Sequence, residues 1–149
     1  MLLNEMTVRP AQRDDLPAVV ALLKDCRLPH EDIGPGHLTD FLVAEDTHGL
    51  AGTVGLERLG ANALVRSLAV RTGLRASGLG KRLVAAIENH GRTHGVDALY
   101  LLTTTAADFF KHLGYQTVTR NSAPQALQAT TEFSSLCPAQ AACMVKRLD

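Results

Sequence analysis

The sequence predicts one mixed α/β domain over residues 1–149, a mixed sheet of roughly seven strands with three or four helices. Three observations point there. The chain of 149 residues has the length of one ordinary domain, and 46% hydrophobic against 20% charged is the balance of a chain that buries a core. Short apolar runs alternate with stretches of helical spacing, so strands and helices intermingle along the chain. Turn formers separate the segments, and no repeat, low-complexity tract or linker interrupts them.

The elements follow in order. "MTVRPA" reads as a short first strand, and Asp14 or Asp15 offers an N-cap to the next helix. Leu16, Val19, Val20, Leu22 and Leu23 form that helix's apolar side. "HEDIGPGH" breaks regular structure through Gly34, Pro35 and Gly36. "DFLVAED" and "LAGTVGLERL" are strands joined by the hairpin signal "DTHG", and "ALVRSLAV" continues the meander. After the glycine loop "LRASGLGKRL", Leu79, Leu83, Val84, Ile87 and Gly91 recur at helical spacing. Lys81, Arg82, Glu88, Asn89 and Arg92 lie between them, and Gly95 ends the helix. "DALYLLT" is a strand, "AADFFKHL" a short helix stopped by Gly114, and "YQTVTR" a strand. "APQALQATTEF" starts a helix with proline in its first turn, and "ACMVKRL" is the last strand.

Charge and composition exclude several classes. Fifteen basic residues balance fifteen acidic ones, which argues against non-specific nucleic-acid binding. No apolar run approaches the roughly 20 residues of a membrane span, and the N-terminus lacks a signal-peptide layout. Three cysteines at irregular spacing fit a reducing compartment, so a cytoplasmic location is expected.

The loop at 74–83 carries the functional signal. A Walker A loop fails, because Arg75 stands at its first position and Arg82 at its last. A dinucleotide fingerprint fails at Leu83. What remains is Arg75-x-x-Gly78-x-Gly80 between a strand and an amphipathic helix. Glycines admit a ligand close to the backbone, and free N–H groups at a helix start attract an anion. A pyrophosphate fits such a cradle, with Lys81, Arg82 and Arg71 near it for added charge. The alternative is a plain strand–turn–helix connection.

"SLAVRTGLRASGLGKRLV" resembles the acetyl-CoA-binding signature of the GNAT family of N-acetyltransferases, and the order of elements matches that fold over nearly the whole chain. "GLERLGANALVRSLAV", "LYLLTTTAADFFKHLGY" and "FSSLCPAQAACM" are similar to the N-acetyltransferases found with arsenic-resistance genes. The resemblance implies detoxifying acetylation of phosphinothricin-like amino acids, the arsenic analogue included, from acetyl-CoA without a metal; direct transfer is expected because none of Cys26, Cys137 and Cys143 has a local base. It implies that "SLAV" splays from "DALYLL", that Val70 pairs with the pantetheine arm, and that the Leu68 N–H faces the thioester oxygen. Arg75, Ser77, Gly78, Gly80 and Lys81 would then hold the pyrophosphate.

Two residues depart from the family pattern. Many members carry Glu near position 66, where this chain has Arg66. Arginine is no base at neutral pH but can grip a carboxylate or phosphinate in a bidentate fork. Glu57 then either holds the substrate ammonium, relaying its proton through water, or forms a cross-strand salt bridge with Arg66. A bulge expected in this strand leaves side-chain parity open. Many members also place Tyr four residues before the glycine of "GY", as acid for the leaving thiolate; here that residue is Phe110. Tyr115 is nearest in sequence, though core packing is its simpler role.

Other residues invite weaker readings. His90 and His94 suit a helix C-terminus. His30 and His37 flank a loop able to cover the substrate, where an imidazole can act as base. Cys137 and Cys143 lack zinc spacing, and Cys143 reads as core. Ser134 and Ser135 could bond the substrate's anionic end or shape a turn. Three functions stay open: a small-molecule N-acetyltransferase, a GNAT enzyme acting on a peptide or protein amine, and a non-enzymatic CoA-binding module. The expected partner is a small amine, with neither nucleic acid nor membrane, and a homodimer is compatible.

Overall fold

Alternating apolar residues in the first half build an antiparallel meander. The structure is a computed structural model, and it describes residues 6–74, 77–136 and 140–148, without the side chains of Ser135 and Leu136. Strands β1 (Thr7–Pro10), β2 (Phe41–Asp46), β3 (Gly49–Leu59) and β4 (Asn62–Val70) pair antiparallel in chain order. Helix α2 (Leu79–Thr93) then crosses over, as a parallel connection requires, and delivers β5 (Ala98–Thr103) parallel to β4. The last strand, β7 (Ala142–Arg147), inserts between β5 and β6 (Gln116–Val118), giving the order β1-β2-β3-β4-β5-β7-β6. Helices α1 (Leu16–Asp25), α3 (Ala107–His112) and α4 (Gln125–Gln128) complete the expected set. No helix among the described residues is long and apolar enough to cross a membrane.

Strand parity assigns the two faces of the sheet. Leu42, Ala44, Val54, Leu56 and Val65 pack with Leu79, Leu83, Val84 and Ile87 of α2. The alternate residues Phe41 and Val43 pack with Val19, Leu22 and Leu23 of α1. Leu64 lies in a third cluster with Leu127, Phe133 and Cys143. Cys143 is therefore core, and burial pushes its thiol pKa up. Glu88 does not face solvent as its place between apolar positions suggests. It is buried, accepting the Tyr115 hydroxyl at 3.0 Å and Lys146 Nζ at 3.1 Å.

Two local expectations are corrected. Asp15 precedes α1 but its side chain does not cap that helix. The carboxylate instead accepts the Gln12 N–H at 2.7 Å and Arg9 Nη1 at 2.8 Å, and this paired geometry is better than one exposed cap. The helix expected through "APQALQATTEF" stops after four residues, and a separate wide turn forms at Glu132–Leu136. Thr130 accounts for the break: its hydroxyl donates to Leu127 O at 2.7 Å and accepts the Phe133 N–H at 3.3 Å, competing with the helical ladder.

Gly55 sets how closely Phe41 lies on the sheet, because a Cβ there would overlap the Phe41 ring. Gly55→Ala is expected to cost about 1–3 kcal/mol through overpacking, measured by urea unfolding. An unchanged midpoint and slope would show that Phe41 relaxes freely.

Candidate active site

The site begins where β4 and β5 part. They pair only through Asn62–Leu64 and Ala98–Tyr100. Beyond that point β4 carries a bulge: the register against β3 shifts between Thr53 and Gly55, and Ser67 adopts φ 61°. An extra residue bends a strand and re-aims its side chains. Leu64, Arg66 and Ala69 consequently face one side of the sheet, while Val65, Leu68 and Val70 pack toward α2. The divergence opens a cleft of about 990 Å³ between Val65–Val70 and Leu102–Ala106, closed at one end by Phe109 and Phe110. Lys24, Arg27, Glu31 and Glu132 supply charge around it.

Arg66 stands in this cleft with a fully buried side chain. Its Nη1 donates to Asp32 Oδ2 at 2.5 Å and Glu57 Oε1 at 2.7 Å. Its Nη2 donates to Asp32 Oδ1 at 2.8 Å and Pro29 O at 3.5 Å. Its Nε meets Ser67 Oγ at 3.1 Å and Glu132 Oε2 at 3.2 Å. The fork expected to grip a substrate anion is therefore already closed on Asp32, and all five N–H groups have protein acceptors. Glu57 does form the cross-strand pair with Arg66. Burial works against both charges, yet Arg66 is held above its usual range by Asp32, Glu132 and Glu57, and Asp32 below its own by Arg66. Glu132 was not singled out from the sequence. It lies 66 positions beyond Arg66, and only the Thr130 break places it here.

The glycine loop has the expected form where it is described. Gly78 is the N-cap of α2 with φ 89°, a left-handed conformation that glycine adopts without strain. Ser77 Oγ donates to Leu74 O at 2.5 Å. A Cβ at Gly80 would lie in van der Waals contact with the Phe109 ring, 3.4 Å from Cζ. Lys81 is exposed beside it, and Arg75 lies outside the described residues. Arg71 is engaged elsewhere: it is ion-paired to buried Asp46 at 2.8 Å and donates to Leu50 O, bracing the β2–β3 turn.

The remaining candidates separate clearly. Phe110 lines the cleft and has no proton to give. Tyr115 is buried away from the cleft lining with its hydroxyl donating to Glu88, and burial followed by the Glu88 charge pushes its phenol pKa up. His30 lines the cleft with Nδ1 donating to Leu28 O at 3.0 Å. His37 borders a shallower groove with Asp32 and Glu57, on the far side of Arg66. The Ser135 side chain and Cys137 lie outside the described residues.

A sheet split beside a glycine-capped helix is the arrangement that the acetyltransferase resemblance implied, and the comparisons agree. Residues 37–117 match the acetyltransferase (GNAT) domain, and the chain belongs to that family. An uncharacterized N-acetyltransferase of Chlorobaculum tepidum is 32% identical over 117 residues, covering 75% of this chain and 73% of that protein. Amino-acid acetyltransferases of Neisseria meningitidis are 26% identical over 132 residues, 80% of this chain; the chain spans only 29% of their length. In fold, N-acetylglutamate synthase of Neisseria gonorrhoeae, solved with coenzyme A and N-acetyl-glutamate, superposes with a TM-score of 0.84. That match has 24% identity and covers 97% of this chain and 35% of the synthase. A GNAT acetyltransferase of Staphylococcus aureus gives 0.75 at 17% identity, over 97% and 99%.

Two outcomes follow from the ion cluster. Arg66→Ala leaves three carboxylates without their shared cation and is expected to cost about 3–5 kcal/mol in urea unfolding; a loss below about 1 kcal/mol would make the cluster solvent-like. The second concerns acid. Asp32, like Asp15 beside Arg9 and Asp40 beside His90 and Arg58, has a depressed pKa in the folded state. Such groups stabilise the fold fully above the unfolded carboxylate value of about 3.9 and lose that contribution as pH falls through the folded value. Unfolding free energy should decline between about pH 5 and pH 2, and Asp32→Asn should flatten part of the decline. A parallel profile in that variant would remove Asp32 from the account.

Proposed function

We propose that the protein transfers acetyl from acetyl-CoA to the amino group of a small acidic amino acid of the phosphinothricin or arsinothricin kind. Transfer is direct, within a ternary complex. The observation that carries this reading is the mixed charge of the cleft, where Glu132 lies beside Arg66 and Lys24 and Arg27 line the wall. One buried guanidinium faces three carboxylates, Asp32, Glu57 and Glu132. Glu132, the carboxylate of this cluster that lines the cleft, suits an arriving ammonium, while Asp32 and Glu57 border the groove beyond Arg66. Lys24 and Arg27 on the wall suit the acid groups of a zwitterion. The N-acetyl-glutamate bound by the gonococcal synthase supports an acidic amino acid as acceptor.

The residues fit the co-substrate. The N–H groups at the start of α2, from Ser77 to Lys81, would hold the pyrophosphate, with Gly78 and Gly80 keeping side chains out of its path. Val70, on the parted edge of β4, would pair with the pantetheine arm. Acetyl-CoA supplies the electrophilic thioester, and the Leu68 N–H would stabilise charge on its carbonyl oxygen, a contact class worth roughly 3–4 kcal/mol.

An ammonium must lose a proton before it attacks. Glu132 lines the cleft and is the carboxylate placed to take it, while Glu57, on the groove side of Arg66, relays it outward through water. Arg66 itself positions these carboxylates. It reads the substrate's anion only through the charge it leaves to Lys24 and Arg27. The thiolate leaves without a tyrosine acid. A peptide amine is the second reading, favoured by the same Glu132 carboxylate, which would accept any ammonium.

Gly78→Val and Gly80→Val are expected to abolish acetyl-CoA binding in calorimetric titration with folding retained; unchanged affinity in both would sink the cofactor assignment. Glu132→Gln should lower kcat by about 10²–10⁴-fold in a thiol-release assay with phosphinothricin, the range for one general base. The same assay with glutamate, an uncharged amine and a lysine peptide ranks acceptors. The zwitterionic acids should lead in kcat/KM, and a lead for the peptide would favour the second reading.

A further inference from the structure

We infer that Asp40, His90 and His94 form a binding site for a divalent transition-metal ion of the zinc class, remote from the reaction and joining the end of α2 to the turn Pro35–Asp40. One ligand atom from each lies within 4.8 Å of the others. His90 and His94 are one helical turn apart at the C-terminus of α2, so both rings project on one face. Their centroids are 4.3 Å apart.

Three further features suit a cation. His90 Nε2 and Asp40 Oδ1 are 3.0 Å apart. Two donors bound at about 2.0–2.2 Å to one ion sit roughly 3.0–3.4 Å apart, so that pair needs little movement. His94 Nδ1 meets the His90 carbonyl at 2.8 Å and must donate to it, which leaves Nε2 with its lone pair. A backbone partner of this kind orients a metal-binding imidazole. The helix C-terminus also carries partial negative charge. The competing cation is Arg58, whose Nε reaches Asp40 Oδ1 at 3.0 Å from a partly exposed position. On binding, the ion replaces the proton that His90 Nε2 shares with Asp40, and that proton passes to solvent.

The other His–carboxylate cluster, Asp32 with His37 and Glu57, is a weaker candidate. Both carboxylates there already neutralise Arg66, and His37 Nδ1 accepts the Gly34 N–H. The proposed ion would tether the turn that follows residues 28–34, the segment bordering the cleft, to the far end of the helix whose start meets the phosphates.

The test is titration of the chelator-treated full chain with zinc chloride, by calorimetry and thermal melting, with magnesium chloride as the hard-cation control. Zinc should bind at one site and raise Tm, and magnesium should do neither. His94→Ala, at an exposed position, should weaken zinc about tenfold or more with the metal-free Tm unchanged. The double variant His90→Ala/His94→Ala should abolish the response, and His37→Ala should leave it intact. Absence of a zinc response in the wild type, or a response that survives in the double variant, would overturn the site.

Discussion

A guanidinium cannot be buried alone. Placing Arg66 inside the sheet face obliges the chain to bring carboxylates to it, and it does so from three distant segments: Asp32 from the loop after α1, Glu57 from β3, and Glu132 from the turn after α4. The site depends on this constraint. It fixes the loop that borders the cleft and holds the turn that carries Glu132, setting that carboxylate in the cleft beside Arg66.

The bulge at Ser67 makes the constraint useful. Without its extra residue, β4 would keep its parity against β3 past Arg66. With it, Arg66 points to the carboxylates while Leu68 and Val70 border the gap beside the glycine-capped helix. Backbone edge, helix terminus and charged cluster then converge on one cleft. Gly55 and Phe41 lie directly beneath, so the packing of α1 against the sheet and the geometry of the site are linked.

Local chemistry was legible in the sequence, and long-range pairing was not. The strand–glycine loop–helix unit reads from residues 68 to 91 because every signal in it is local: alternation, a glycine that needs positive φ, and helical spacing. Arg66 and Phe110 stand out as departures from a pattern for the same reason. Of the partners of Arg66, Glu57 could be read as a cross-strand salt bridge, but Asp32 and Glu132 could not, since they are 34 and 66 positions away and approach through the folded loops. Asp15 as a cap and Arg71 as a phosphate ligand were sound local readings that tertiary ion pairs overrode, with Arg9 and Asp46 respectively. Thr130 is intermediate. Its tendency to break a helix is a known property of its hydroxyl, but nothing nearby in sequence shows that the break delivers a carboxylate to the site.

The central claim is that Glu132, held beside Arg66 in the cleft, recognises the ammonium of the acceptor. The most direct measurement compares the binding of phosphinothricin with that of its des-amino analogue, by calorimetry on the protein loaded with coenzyme A. If that carboxylate reads the ammonium, removing that group should weaken binding by roughly 10–100-fold, the worth of a charge-assisted hydrogen bond. Equal or tighter binding of the analogue would contradict the account and return Arg66 to the role of an anion receptor.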